Sequence, residues 1–521
     1  MVTLRYPFFL LIVLSLLSGF SPAAHDHDDV PPFPPWHDGQ HLGRMSMSVT
    51  TSSEAANKHF QMGIKLLHTY AFQEALWSLR EAQRLDPGFA MTYWGEIIAG
   101  NKLIWNSVDP ERVQSAIQRM DQNVDYKRLT PLEAGYIKAA RLLASPNPKK
   151  FQPWESGSPN AQFRLAMADL YRQFPDDPDV KVIYGYSILG TRRGVRDFPT
   201  NHEAVMLFRD VLAKNPEHPG ALHYLIHGTE NPVQSYLAKS AAESFTEIAA
   251  DSIHAWHMPT HYYITLGDWP KVVDINQKAM DASIERAKDQ GLDETSLEYH
   301  GYSWVIYGLL QQGKEDKAFQ GVKRIENLFR KTNSITVQKY LLLSRARFLV
   351  DSDGQSQENQ AARTMVISHK NAPNSAVVMD IFASGYNNWK QQDAEQMAQD
   401  LARYQTLMNS DLSDLSPAEH DAVAIMEQQL LAMAQMAKGD YRKAEDHFNR
   451  AVRLEAAMVH EHGPPINIKP ASELYADVLL AQKRFGEALY FYDKANTYYP
   501  GRRQIVLGRA KAMEQLKDPK S

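Results

Sequence analysis

The sequence predicts an all-α protein, a solenoid built from stacked helical hairpins. Apolar residues recur at helical spacing from about residue 51 to the end of the chain, and no stretch shows the alternation and tight turns of β-hairpins. A pattern of small residues, aromatic residues and a terminal proline returns several times along the chain. Hydrophobic residues make up 44% and charged residues 22% of the 521 residues, which is ordinary for a folded protein.

The repeat is clearest in residues 56–89. Gly63 is a small residue where two helices cross, Ala75 and Ala82 lie seven apart on one helix face, and Pro87 ends the second helix. This spacing resembles the 34-residue tetratricopeptide repeat (TPR). The same signature returns at Ala204, Phe208, Val211 and Pro216, at Gly439, Tyr441, Ala444, Phe448 and Ala451, and at Phe485, Ala488, Ala495 and Pro500.

The resemblance implies a right-handed superhelical solenoid of about nine or ten units over residues 51–521. Each hairpin buries its apolar face only against its neighbours, so stacked units form a continuous core and an extended concave groove. The run Asp351-Ser352-Asp353-Gly354 marks either a break in the array near 351–358 or a long loop.

The first 50 residues differ from the rest. Arg5 precedes a short apolar run, and Ser21-Pro22-Ala23 fits a small-x-small cleavage site, so residues 1–23 are predicted to be a secretory signal peptide. Residues 24–50, with their Asp, His and Pro clusters, are predicted to be a disordered linker. The chain is therefore expected to be periplasmic or secreted, with no membrane span after signal cleavage.

Composition restricts the possible chemistry. The chain has no cysteine, so an exported form would hold a transition metal through His, Asp, Glu or Met. The net charge of -5, with no dense Lys/Arg run, argues against binding to nucleic acid.

The most informative feature is a set of histidines spaced one repeat apart. His223 and His227 are four residues apart, which places both on one helix face. His257 and His261 repeat this spacing 34 residues later, so adjacent units carry the same pair at equivalent positions. If both pairs lie on first helices, they line the groove, and their imidazoles are predicted to bind one Zn or Cu ion.

Glu230 follows His227 by three residues, near the same face. It is a candidate metal ligand, a group that orients a ligand, or a catalytic general base. Further histidines expected to line the groove are His254, His300 and His68. The alternatives are one structural histidine pair copied with its repeat, aromatic stacking, or protonated histidines that bind an anion.

Residues 218–227 (HPGALHYLIH) and 257–261 (HMPTH) resemble the histidine motifs of a group of bacterial exported TPR proteins. Residues 63–68, 90–95 and 469–474 resemble that group too, so the similarity spans most of the mature chain. It implies no settled reaction, only that the groove residues act together.

Two functions remain open at this point. The first is a metal site in the groove, either closed and structural or open, with Glu230 as the base of a metal-dependent enzyme. The second is a scaffold whose groove binds peptide segments of partner proteins in the cell envelope. The sequence contains no phosphate-binding loop, HExxH motif or nucleophile elbow, and it does not decide whether the protein is an enzyme.

Overall fold

The computed structural model describes residues 35–145, 151–461 and 463–517. The predicted signal peptide and residues 24–34 of the predicted linker lie outside the described residues. Within the described residues the regular structure is almost entirely helical, with one short antiparallel pair of strands, β1 (Asn101–Lys102) and β2 (Ser107–Val108). None of the described helices is long and apolar enough to cross a membrane.

The helices, in chain order, are α1 (Glu54–His68), α2 (Phe72–Leu85), α3 (Ala90–Ala99), α4 (Pro110–Asn123), α5 (Pro131–Arg141), α6 (Pro159–Gln173), α7 (Pro178–Leu189), α8 (Phe198–Lys214), α9 (Pro219–Gly228), α10 (Lys239–Ile248), α11 (Ile253–His257), α12 (Pro259–Thr265), α13 (Trp269–Gln290), α14 (Tyr299–Gln311), α15 (Glu315–Thr332), α16 (Ile335–Asp351), α17 (Gln357–Arg363), α18 (Asn374–Lys390), α19 (Ala394–Met408), α20 (Pro417–Ala437), α21 (Tyr441–Ala457), α22 (Ala471–Ala481), α23 (Phe485–Tyr498) and α24 (Arg503–Lys517).

Helix packing confirms the predicted all-α solenoid of helical hairpins. Consecutive helices pack in pairs, as α1 does with α2, α7 with α8, α20 with α21 and α22 with α23. The first helices of successive hairpins also pack on one another, for example α14 on α16, α16 on α18 and α18 on α20. This second set of contacts forms one inner layer of helices, as expected for repeats that bury their faces against neighbours.

The first hairpin shows why the repeat residues are small. A Cβ added to Gly63 would lie 2.9 Å from Cγ of Leu79, so glycine at this position allows α1 and α2 to approach closely. Ala75 and Ala82 are fully buried on one face of α2. Helix α2 ends at Leu85, and Pro87 follows in the turn that leads to α3.

Residues 35–50, which belong to the predicted linker, lie against the solenoid. Leu42 and Met47 are buried, and the amide of Arg44 donates a hydrogen bond to the carbonyl of Glu217 at 2.9 Å. The amide of Thr50 donates to a Glu133 carboxylate oxygen at 2.6 Å. This part of the expected linker is therefore packed on the solenoid. The reason is that its apolar side chains, although few among Pro, His and Asp residues, provide surface to bury.

The C-terminal end of the chain contacts the middle of the array. Helix α24 packs against α14, and the Trp269 indole donates a hydrogen bond to the carbonyl of Gly501 at 2.8 Å. Gly267 and Gly501 both have positive φ, and a Cβ on Gly267 would lie 2.8 Å from the carbonyl oxygen of Pro500, so this contact favours glycine at both positions. Residues 352–356 form the loop between α16 and α17, and helix stacking continues past it because α16 packs against α18.

Candidate metal centre

The first histidine pair lies on α9. Pro219 is the first residue of this helix, where a missing N–H costs nothing, and the His218 ring caps the helix by accepting from the Ala221 amide at 3.3 Å. His223 and His227 project from the same side, with ring centroids 4.7 Å apart. Both side chains are fully buried.

The second pair spans the junction of α11 and α12. His257 ends α11 and His261 lies in α12, with Pro259 between them. Met258 keeps helical backbone angles, φ -55° and ψ -37°, so the chain continues in helical register past the proline. The four-residue spacing therefore still places both rings on one side, with centroids 4.8 Å apart.

The two pairs converge, as the sequence predicted for neighbouring first helices. The centroids of His227 and His261 are 5.2 Å apart. His254 packs 5.1 Å from His223, and His300, which lies on α14, packs 4.8 Å from His257. Three consecutive units therefore contribute imidazoles to one buried cluster.

The distances between ligand atoms define three overlapping groups of residues that could hold a metal ion. In each group, one ligand atom of every member lies within 4.8 Å of those of the other members. The groups are His223, His227 and His254; His257, His261 and His300; and His227, Glu230 and His261. The predicted four-histidine set is thus divided between two triads of histidines, with Glu230 between them.

Oxygen acceptors hold the Nδ1 atoms of the first pair. Nδ1 of His223 lies 2.6 Å from the carbonyl oxygen of His68, and Nδ1 of His227 lies 2.6 Å from Oε1 of Glu230. A carbonyl oxygen only accepts, so the His223 proton lies on Nδ1 and its Nε2 keeps the lone pair. Metal-binding histidines in proteins are typically oriented by such a contact.

His257 is held in the same way. Its Nδ1 lies 2.6 Å from Oδ1 of Asn276. The Asn276 amide group donates to the carbonyl of Val272 at 3.0 Å, which fixes its oxygen toward the histidine. The Nε2 atoms of His257 and His261 lie 2.9 Å apart, so the two rings direct these nitrogens at each other.

Glu230 connects the two triads. Its Oε1 atom, besides contacting His227, lies 2.5 Å from Nδ1 of His261 on the next unit. Its Oε2 lies 3.4 Å from a guanidinium nitrogen of Arg192. This carboxylate is placed to orient the His227 ring, and it also belongs to one of the groups of possible metal ligands.

The environment favours neutral imidazoles. Burial is the main cause that lowers the pKa of His223 well below its usual value, and the neighbouring His227 lowers it further. Burial likewise lowers the pKa of His254 well below its usual value, with His223 next in effect. Nε2 of each is buried and has no hydrogen-bond partner within the described parts of the chain. Neutral imidazole is the form that binds a metal.

His68 contributes its backbone to the cluster, while its side chain points elsewhere. Its Nδ1 lies 3.1 Å from the Tyr224 hydroxyl, and its ring packs 5.7 Å from that of His218. His68 belongs to the first recognisable repeat, and helix α1 nevertheless contacts α9 directly. The carbonyl that holds His223 therefore comes from a distant unit.

Several residues of the site were not found from the sequence. The Tyr70 ring packs 4.4 Å from His223, and the Trp304 ring packs 4.8 Å from His261. Trp304 follows His300 by four residues, a spacing that indicates the shared face. Asn276 and Arg192 gave no comparable signal because they reach the cluster from other helices and loops.

A narrow cavity of about 60 Å³ reaches Glu230 from the side of the C-terminal repeats. Tyr307, His460 and Tyr499 are among its lining residues. The backbone carbonyl of His460 accepts from the amide of Val195 at 2.8 Å, which ties the segment after α21 to this wall. The cavity has room for only a few water-sized molecules.

No protein-family model matches the chain, and no curated protein matches it in sequence. Among solved structures it is similar to yeast Tom70, with 12% identity, 90% of this chain and 91% of that chain covered, and a TM-score of 0.37. It is similar to the human IFIT1 dimer with m7Gppp-AAAA, with 14% identity, 78% and 92% covered, and a TM-score of 0.38. For the P58(IPK) TPR domain the values are 14%, 89% and 98%, with a TM-score of 0.21. The description as a TPR-type solenoid rests on the chain's own repeats and helix packing.

Proposed function

We propose that the protein is an exported TPR-type solenoid that binds a transition metal, Zn or Cu, in its buried histidine cluster. One observation carries the proposal. The Nδ1 atom of His223 meets a carbonyl oxygen, and the Nε2 atoms of His223 and His254 are buried in the six-histidine cluster with no hydrogen-bond partner within the described parts of the chain. Buried imidazole nitrogens arranged in this way are suited to bind a metal ion.

The donor set suits these metals. Imidazole nitrogen is a preferred ligand of Zn and Cu, and the chain offers no thiolate. A metal held by three imidazoles keeps a position open for water or substrate, whose acidity the ion would increase. This open position supports a metal-dependent enzyme over a closed structural site, with Glu230 orienting His227 and His261.

Metal content tests the proposal. The purified protein is stripped, reconstituted with Zn or Cu, freed of loose metal and measured by elemental analysis. We expect bound metal in the wild type and its loss in the His223→Ala/His257→Ala variant. The matched control is His202→Ala, which removes an exposed histidine of α8 and should leave the metal content unchanged. A wild type that retains neither metal would contradict the proposal.

The second candidate is a scaffold that binds a peptide of a partner protein, and one feature favours it. A cleft of about 450 Å³ lies between α16, α18 and α22, far from the histidines along the chain. Tyr386, Trp389 and Tyr441 are among its lining residues, and aromatic side chains are frequent anchors of peptides. Pull-down from an exported fraction distinguishes the candidates: a partner kept after chelation but lost in Trp389→Ala/Tyr441→Ala favours the scaffold.

A further inference from the structure

We propose that the histidine cluster is a dinuclear centre, in which each of two metal ions is held by three imidazoles. The first triad is His223, His227 and His254, and the second triad is His257, His261 and His300. This inference rests on the metal binding proposed above and adds the number of ions, the third ligand of each and the kind of molecule that they bind.

The two triads are built in the same way. Each contains a pair of histidines spaced by four residues and a third histidine from the following unit. His254 of α11 completes the pair on α9, and His300 of α14 completes the pair on α11 and α12. Each ion would therefore lie between two consecutive units. The same metal site would then occur twice because the structural unit occurs twice.

The number of imidazoles exceeds what one ion uses. Zn and Cu sites in proteins take about four ligands, and the cluster offers six rings. The rings of His223, His227 and His257, whose Nδ1 atoms are held by oxygen atoms, can each bind an ion through one nitrogen, so each of them serves a single ion. The nitrogens of each triad are already close to one another, which makes two sets of three the arrangement that needs least movement.

The triads lie side by side, so their open positions are close together. Ring centroids of His227 and His261 are 5.2 Å apart, and those of His254 and His257 are 5.7 Å apart. Paired metal sites in enzymes hold their ions about 3.5–4 Å apart, a separation that neighbouring triads can supply. One small ligand can then occupy both open positions.

Charge selects the chemistry of that ligand. Neutral imidazoles do not compensate two buried cations, and the Glu230 carboxylate between the triads shares its charge with Arg192. A small bridging anion such as hydroxide would supply part of the missing negative charge. The cavity of about 60 Å³ that Glu230 lines has room for a few molecules of this size.

Copper provides a direct test, because the stoichiometry and the magnetism can be measured on one sample. Stripped full-length protein is titrated with Cu(II) in equilibrium dialysis, and the loaded protein is examined by electron paramagnetic resonance. We expect two Cu(II) per chain and an integrated signal well below two spins, since a shared hydroxide couples the two ions.

Single-triad variants complete the test. His254 and His300 are only half-buried, so His254→Ala and His300→Ala leave the core intact, which thermal unfolding by circular dichroism checks. Each variant should bind one Cu(II) per chain with the signal of one full spin, while His202→Ala should behave as the wild type. One ion per wild-type chain would overturn the dinuclear centre but leave the proposed function standing, and no ion would overturn both. Two ions retained in both variants would overturn the assigned ligands, and two uncoupled spins would overturn the shared anion.

Discussion

Two buried polar clusters of the solenoid differ in how their charges are satisfied. In the C-terminal half, Arg502 donates to Glu473 at 2.5 Å and to Asp351 at 2.9 Å. Lys469 donates to the same Glu473 at 2.5 Å and to Asp477 at 2.6 Å. In the middle of the chain, the histidine cluster instead places imidazole nitrogen atoms of different rings close to one another.

The difference indicates what each cluster is for. Burial alone would lower the pKa of Lys469, but the carboxylates of Asp477 and Glu473 raise it well above its usual value. Positive and negative groups of the protein thus complete this network, which ties α24 to α16 and α22. The histidine cluster is instead made mainly of imidazole nitrogens, and the proposed metal ions would provide the cation that this cluster lacks.

The largest expected effect comes from breaking the ionic network. Arg502→Met removes the partner of two buried carboxylates and should lower the free energy of unfolding by about 3–5 kcal/mol. Metal affinity should remain near that of the wild type because the histidines are not touched. Denaturant unfolding measures the loss. Arg509→Met, which removes an exposed ion pair with Asp493, is the control and should cost at most about 1 kcal/mol.

The histidine cluster should show the opposite behaviour, stabilisation by added metal. With free metal at a hundred times the dissociation constant, the wild type should gain about 2.7 kcal/mol for each site. The His254→Ala/His300→Ala variant should gain much less, while its metal-free stability should stay close to that of the wild type. Denaturant unfolding with and without metal checks both values, and an equal gain in both proteins would argue that metal binds elsewhere.

Glu230 should affect metal affinity without removing a site. Glu230→Gln loses the charge that orients His227 and His261, so affinity should fall about 10–100-fold with the stoichiometry unchanged. Competition with a chelator measures the affinity. Glu203→Gln, on the exposed side of α8, is the control. Loss of an ion in Glu230→Gln would make this carboxylate a ligand.

The smallest effect concerns His460, which lines the same cavity as Glu230. Burial, aided by Arg196, lowers its pKa to about 3, below the value of about 6.5 in an unfolded chain. The unfolded state therefore binds more protons as the pH falls below 6.5, and stability falls with it. At pH 5.5 this histidine should account for about 1.4 kcal/mol of the loss relative to pH 8.

Unfolding curves of His460→Gln at both pH values check this number. The variant should lose less stability between pH 8 and pH 5.5 than the wild type does. His420→Gln, which changes an exposed histidine on α20, should leave the difference unaltered. The same pH dependence in His460→Gln and the wild type would contradict the assignment.

The sequence predicted those residues of the site that occupy equivalent positions in adjacent repeats. His223, His227, His257 and His261 converge because a shift of one repeat length places the two pairs at equivalent positions of adjacent units. His254 and His300 were expected as further groove residues by the same reasoning. Their division into two triads depends on ring orientations, which spacing alone does not determine.

The remaining features depend on contacts between distant parts of the chain. The carbonyl of His68 reaches His223 because α1 packs against α9, 155 residues along the chain. The packing of the C-terminal end against the middle of the array includes the contact of Gly267 with Gly501, each of which looks like an ordinary turn residue in the sequence. The packing of residues 35–50 similarly depends on partners far away in sequence.

X-ray absorption at the metal edge of the loaded full-length protein tests the central claim most directly, since it reports the atoms bound to the ion. The account predicts about three imidazole nitrogens per ion, at about 2.0–2.1 Å for Zn. A shell of oxygen atoms alone, without the outer-ring scattering of imidazole, would contradict it and would place the metal outside the histidine cluster.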